Sequence, residues 1–146
     1  MIVYFDTSAL VKRYVGESGS PAVRALFEEE NAILGSVLLT QVEMAAAFQK
    51  AIRLGNASQS LLAEIWQDFL EDWRSFTRIQ VNESLVERAS QASFAHQLRG
   101  YDALHLAAAS LWQEKLGQPV TLATYDRELW LAGRQAGLEV WPEGLV

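Results

Sequence analysis

Asp6, Glu43, Asp102 and Asp126 are acids spread over nearly the whole of a 146-residue chain. Each stands where an extended or loop segment gives way to a stretch with helical periodicity. In an open α/β sheet the carboxyl ends of parallel strands lie along one edge, where ligands bind, so acids distant in sequence can converge there. Clustered carboxylates are hard oxygen donors of the kind that hold Mg²⁺ or Mn²⁺. An ion held this way can activate water and offset charge building on a phosphate. The chemistry that suits the pattern is metal-assisted phosphodiester hydrolysis.

Each acid also has a purely structural reading. Asp6 and Asp126 are placed to cap helices that begin just after them. Thr40-Gln41-Val42-Glu43 fits a capping box, with Glu43 reaching back to the helix start, and Asp102 in a first helical turn suits the macrodipole. Taken together the acids argue for a site. Asp102 opens the most apolar helical stretch in the chain, so its carboxylate is expected at the edge of the core, where an unpaired charge is costly. Ala46 and Ala47 follow Glu43 on its helical face and leave room for a ligand. No Arg partner is evident from the spacing, so the cluster is expected to repel itself, and a divalent cation would relieve it.

The elements that must position these acids alternate. Strands are expected at Ile2 to Phe5, Ala32 to Gly35, Arg78 to Val81, Pro119 to Leu122 and Leu138 to Trp141, from short apolar or alternating runs. Helices are expected from Thr7 to Tyr14, from Pro21, from Thr40 to Leu54, over Ala57 to Phe76 as one piece, from Glu83 to Leu98 after an Asn82 cap, from Asp102 to Leu116, and from Asp126 to Gln135. Strands alternating with helices predict a single α/β domain over residues 1–146, a three-layer α/β/α sandwich with a mostly parallel sheet of about five strands. Asp6 follows the strand expected at its centre. Half the residues are hydrophobic, enough for a sizeable core.

Composition bounds the remaining classes. There is no cysteine, which excludes disulfides, zinc thiolates and a cysteine nucleophile and fits a reducing, cytoplasmic compartment. Ile2 to Phe5 runs straight into Asp6, with no basic n-region and no signal-peptide core, and no apolar run approaches the ~20 residues of a membrane helix. The net charge of −6 opposes a broadly basic nucleic-acid surface but leaves space for a local patch.

Tyr4-Phe5-Asp6-Thr7-Ser8-Ala9-Leu10-Val11-Lys12, Gln41-Val42-Glu43-Met44-Ala45, Tyr101-Asp102-Ala103-Leu104-His105-Leu106-Ala107-Ala108-Ala109 and Thr124-Tyr125-Asp126-Arg127-Glu128-Leu129 resemble, in order and spacing, the motifs of PIN-domain ribonucleases. The likeness is to the VapC-type toxins of toxin–antitoxin pairs and covers essentially the whole chain. It implies endonucleolytic RNA cleavage, Mg²⁺ or Mn²⁺ at the acids, and a small VapB-like antitoxin partner. Asp6, Glu43 and Asp102 match the family's principal acids, Asp126 its more variable fourth, and Ser8 and Thr124 its supporting hydroxyls. Thr121-Leu122-Ala123-Thr124 departs from the pattern, with Ala123 where a β-branched strand residue is more usual.

Lesser candidates have bland defaults. His105, three residues after Asp102, reads as a packed, hydrogen-bonded core residue rather than a ligand, and His96 has no evident partner. Lys12, Arg13, Lys50 and Arg99 are expected at the solvated surface, with phosphate contact as their functional alternative. The apolar stripe of the long middle helix reads as core, or in part as a homodimer or antitoxin surface. A haloacid-dehalogenase-like phosphatase would need Asp-x-Asp where the chain has Asp6-Thr7-Ser8, and a receiver domain would need paired acids and a late Lys. A non-catalytic PIN-like module is opposed by the intact acids.

Overall fold

Ile2-Val3-Tyr4-Phe5 is apolar on both faces, and in a computed structural model, which describes residues 1–145, it forms a wholly buried strand, β1 (Ile2–Phe5). Its partners are β2 (Ile33–Val37), β3 (Thr77–Ile79), β4 (Thr121–Ala123) and β5 (Glu139–Trp141). All pair in parallel, in the order β3-β2-β1-β4-β5. The chain winds outward from β1 through β2 to β3, then crosses back to β4 and β5. The strand order therefore reverses between β1 and β4, and a crevice is expected beyond their carboxyl ends.

Alternation along β1 sends Tyr4 into one layer and Val3 and Phe5 into the other. Tyr4 faces α5 (Glu83–His96), α6 (Gly100–Leu116) and α7 (Arg127–Gln135); Phe5 faces α1 (Thr7–Leu10), α2 (Ser20–Phe27), α3 (Thr40–Arg53) and α4 (Leu62–Trp73). Ala103, Ala107, Ala108 and Ala109 are all buried on α6, small side chains that let this helix lie close to the sheet. Gly35 of β2 belongs to the same close approach: a Cβ there would stand 2.6 Å from Cη2 of Trp112.

The expected elements form, with local corrections: the helix expected from Thr7 to Tyr14 is α1 only to Leu10 and a 3-10 turn over Val11–Arg13 after it, and the strands after β1 shift their ends by one or two residues. The segment 57–76 is not one helix: Ser58 caps a short 3-10 turn, Gln59–Leu61, by accepting a hydrogen bond from the Ser60 amide, and α4 starts only after it. The capping box at Thr40 does not form. Thr40 is buried with its hydroxyl 2.7 Å from Ser36 Oγ, Leu39 is the N-cap residue and supplies no side-chain cap, and Glu43 is engaged elsewhere. No helix among the described residues is long and apolar enough to cross a membrane.

Candidate active site

Asp6 leaves the central strand at the point where the strand order reverses, and it caps α1 by accepting the Ala9 amide at 3.0 Å. Ser8 Oγ lies 2.7 and 2.9 Å from its two carboxylate oxygens, and Thr124 Oγ1 donates to Oδ2 at 2.7 Å. Those hydroxyls have second duties. Ser8 accepts the Tyr125 amide at 2.9 Å and Thr124 accepts the Asp126 amide at 3.0 Å, so the loop carrying Asp126 is fastened to Asp6. Burial raises the Asp6 pKa; the His105 charge and the donors from Thr124, Ser8 and Ala9 pull it back. Asp126 caps α7 through the Leu129 amide at 2.9 Å.

Asp102 is less well served. Its Oδ2 is buried without a hydrogen-bond partner, and the Arg99 Nε at 3.4 Å makes only a charge contact. Arg99 also reaches Asp126, Nη2 to Oδ2 at 3.6 Å. Burial, followed by repulsion from Asp126, pushes the Asp102 pKa up, and Arg99 opposes both. Arg99 is thus the partner that the spacing did not reveal: as the N-cap residue of α6 it has extended backbone, not helical backbone, which aims its side chain back across the acids. Its side chain is 80% exposed, so solvent screens what it contributes.

Glu43, in the first turn of α3, turns to His105, with Oε1 2.8 Å from Nε2. On the other side of the imidazole, Nδ1 lies 2.8 Å from Tyr4 Oη, and the Val37 amide donates to that same Oη at 3.2 Å. A Glu43 carboxylate can only accept, which puts a ring proton on Nε2, and Nδ1 of the neutral ring is left to accept the Tyr4 hydroxyl. Burial pulls the His105 pKa down, but the Glu43 hydrogen bond and the charges of Asp6, Glu43 and Asp102 outweigh it, and the net shift is upward.

The PIN domain family model matches residues 3–132, a span that holds all four acids. The chain belongs to the PIN-domain family. Ribonuclease VapC45 and Ribonuclease VapC49, both of Mycobacterium tuberculosis, are each 34% identical to it over 145 residues, or 99% of this chain and 97% of the relative. Ribonuclease VapC46 of the same species is 29% identical over 138 residues, 94% of this chain and 95% of the relative. The crystal structure of Mycobacterium tuberculosis VapC20, described as a sarcin-ricin loop cleaving toxin, matches with a TM-score of 0.64 over 90% of this chain and 95% of that one. At 16% identity it shows a shared fold.

In this PIN domain all four acids gather around the carboxyl ends of β1 and β4, coupled through His105, Arg99 and Thr124. As the side chains stand, no three of the described His, Asp and Glu residues are arranged to hold an ion. The convergence of Asp6, Glu43 and Asp102 on one cation is not met in this arrangement. The cause is visible in the bonds: Glu43 is drawn to His105, and Asp6 to its hydroxyl and amide donors. His105 is a packed core residue, 2% exposed, as its apolar helix suggested, yet its outward bond goes to a candidate ligand. Tyr4, His105 and Arg99 are the residues undervalued from sequence. Their only signal was position, two before Asp6 and three either side of Asp102. Lys12 and Arg13 are committed elsewhere, to Glu17 and Asp72, and His96 meets Gln135.

Proposed function

We propose that this protein is a metal-dependent endoribonuclease of the VapC type, the toxin of a toxin–antitoxin pair, acting in the cytoplasm. In this reading Asp6, Glu43, Asp102 and Asp126 hold Mg²⁺ or Mn²⁺. The observation that carries it is the buried, unbonded Oδ2 of Asp102, set among other carboxylates at the reversal point of the sheet. A buried carboxylate oxygen without a donor is costly, and hard oxygen ligands fit the cation. The full-length likeness to proteins named ribonucleases supports the substrate class.

A bound divalent ion would lower the pKa of a water and offset negative charge on the scissile phosphate. The residues of the chain position. Ser8 and Thr124 fix the orientation of Asp6 and tie Asp126 to it; the His105 ring, held by Tyr4, orients Glu43. Arg99 balances Asp102 and Asp126 from the solvent side and is free to move onto a phosphate. No side-chain nucleophile is required. Calorimetric titration of the purified protein should show Mg²⁺ or Mn²⁺ binding that Asp102→Asn abolishes, alongside RNA cleavage that EDTA stops. Cleavage that persists in EDTA would refute the metal role.

For the partner, the supporting feature is a groove of about 570 Å³ between α3 and α4, lined by Ala45, Phe48, Leu62, Ala63 and Trp66 among others. It suits an apolar antitoxin segment along the α1, α3 and α4 surface, with a basic side chain directed at the acids. Copurification followed by crosslinking checks it; an antitoxin without Lys or Arg near Asp6 or Asp102 counts against the electrostatic half. A homodimer is favoured by the α5 face, where Phe94 is 88% exposed beside the exposed Val86. Sedimentation of Phe94→Glu against the parent tests that.

A further inference from the structure

The cleft beside Glu43 holds chemistry that the acids do not use. Glu43, Ala46, Ala47, Lys50 and Arg53 line it from α3, and Thr7 and Tyr101 close it opposite, enclosing about 440 Å³. At 100° per residue these α3 positions fall within roughly one third of the helix circumference. The small alanines make the trough, and the cations stand at its far end. Lys50 and Arg53 in the last turn of α3 also suit the negative end of the helix dipole, but that accounts for their charge and not for their sharing a cleft with Glu43. Lys12, Arg13, Arg88 and Arg99 are each paired with an acid. Lys50 and Arg53 are exposed and in no ion pair among the described residues, as are several other cations of the chain; what sets these two apart is the cleft they share with Glu43.

Two further groups in the same cleft await a ligand. The Thr7 hydroxyl is buried without a hydrogen-bond partner. Tyr101, next to Asp102, exposes 52% of its surface although it sits on the most buried helix of the chain. An aromatic face, an unbonded hydroxyl and a pair of free cations leading away from an acidic cluster match a single nucleic-acid strand: bases stack on aromatic rings, phosphates meet Lys and Arg, and a hydroxyl meets sugar or phosphate oxygens.

Resting on the ribonuclease reading above, the geometry points to this cleft as the binding track for single-stranded RNA on one side of the cleaved bond, with Tyr101 as base platform and Lys50 and Arg53 as phosphate contacts. The rise of 1.5 Å per residue places Lys50 about 10 Å and Arg53 about 15 Å along the helix axis from Glu43. At ~3.4 Å per stacked nucleotide, the track covers about three to four nucleotides from the acids, fewer for an extended strand. On a chain of net charge −6, this local pair concentrates the attraction where the strand must lie. Stacking on Tyr101 needs an unpaired base, which a perfect duplex does not present.

The test is equilibrium binding of a fluorescent single-stranded RNA octamer, read by anisotropy over a salt series, in an Asp102→Asn background that does not cleave it. Each phosphate contact on a single strand contributes about −0.7 to the slope of log K against log salt. Lys50→Ala with Arg53→Ala should flatten the slope by about 1.4. Tyr101→Ala should weaken binding by about 5- to 150-fold without changing the slope, and Tyr101→Phe should restore most of it. In the cleaving protein, the Lys50 and Arg53 changes should raise KM and leave kcat within about twofold. An unchanged slope in the double variant overturns the track, as does equal binding of a perfect duplex or a Tyr101→Phe variant as weak as Tyr101→Ala. A parent protein that cleaves no RNA would sink the ribonuclease reading itself; a parent that cleaves, with variants that bind like it, sinks only the track. All three side chains are exposed, so circular dichroism of the variants should match the parent.

Discussion

Under α4 the sheet is covered by aromatic rings, whereas at the carboxyl ends of β1 and β4 nearly every side chain is polar and each partner matters. Phe69, Trp73 and Phe76 stand at successive centroid distances of 5.4 and 5.3 Å, and Phe76 is 6.2 Å from Phe5. Their attraction is apolar burial plus ring packing, insensitive to pH and to metal. At the acid edge, burial raises the pKa of both Asp6 and Asp102, so keeping them ionised at neutral pH opposes folding. The aromatic layer supplies stability with no chemistry, and the edge concentrates chemistry at a cost in stability that the layer must offset.

Substitutions in the two regions should therefore separate stability from metal binding. Phe69, fully buried at 0% exposure, should cost about 3–5 kcal/mol when changed to Ala, measured by urea melts, while the folded fraction keeps its Mg²⁺ affinity. Loss of metal affinity at constant stability would erase the distinction.

Tyr4→Phe sharpens the contrast, because it deletes one oxygen from a fully buried residue of the central strand. Val37 loses its acceptor and His105 Nδ1 its donor, for a cost of about 1–3 kcal/mol. Since His105 orients Glu43, Mg²⁺ affinity should also fall, by roughly 10- to 100-fold. Calorimetry showing parent-like affinity would reduce the Tyr4–His105–Glu43 relay to packing.

Asp102→Asn should have the opposite sign. In EDTA it relieves repulsion from Asp126 and the burial of a charge, so the variant should match the parent or exceed it by something on the order of 1 kcal/mol, and cleavage should be lost. A destabilised variant that still cleaves RNA would make Asp102 a helix-start acid and nothing more.

The smallest effect is on pH dependence. Asp6, Asp102 and His105 all have folded pKa values raised above their ordinary ones. Each binds its proton more tightly in the folded state, so each favours the fold at low pH and ceases to as pH rises through its folded value. The metal-free protein should melt higher at pH 6 than at pH 8, chiefly through His105, whose value is raised from an ordinary one already inside that window; Phe69→Ala should keep that difference, while Asp102→Asn, which removes one of the charges that raise His105, narrows it. A melting temperature that rises with pH in EDTA would contradict these shifts.

The order of elements was legible because periodicity is local. Ile2 to Phe5 reads as a buried strand and forms one, the Asn82 cap forms as its spacing suggests, and the apolar helix after Gly100 is the buried α6. Local signals misled where a side chain had a better partner. Thr40 and Glu43 have the spacing of a capping box, yet Ser36, four residues back on β2, takes Thr40, and His105, brought in from far along the chain by α6, takes Glu43.

By itself the sequence determined which residue types were available and where along each element they stood: acids at strand ends, hydroxyls two residues away from Asp6 and Asp126, alanines after Glu43. Those follow from backbone periodicity, which a linear pattern records. Only the tertiary structure decided that His105 bonds Glu43, that Arg99 spans Asp102 and Asp126, and that Lys50, Arg53, Thr7 and Tyr101 share one cleft with Glu43. Such pairings join residues up to 118 positions apart, as Thr124 and Asp6 show. They depend on which strands are neighbours and how closely α6 approaches the sheet, quantities set by packing of the whole chain.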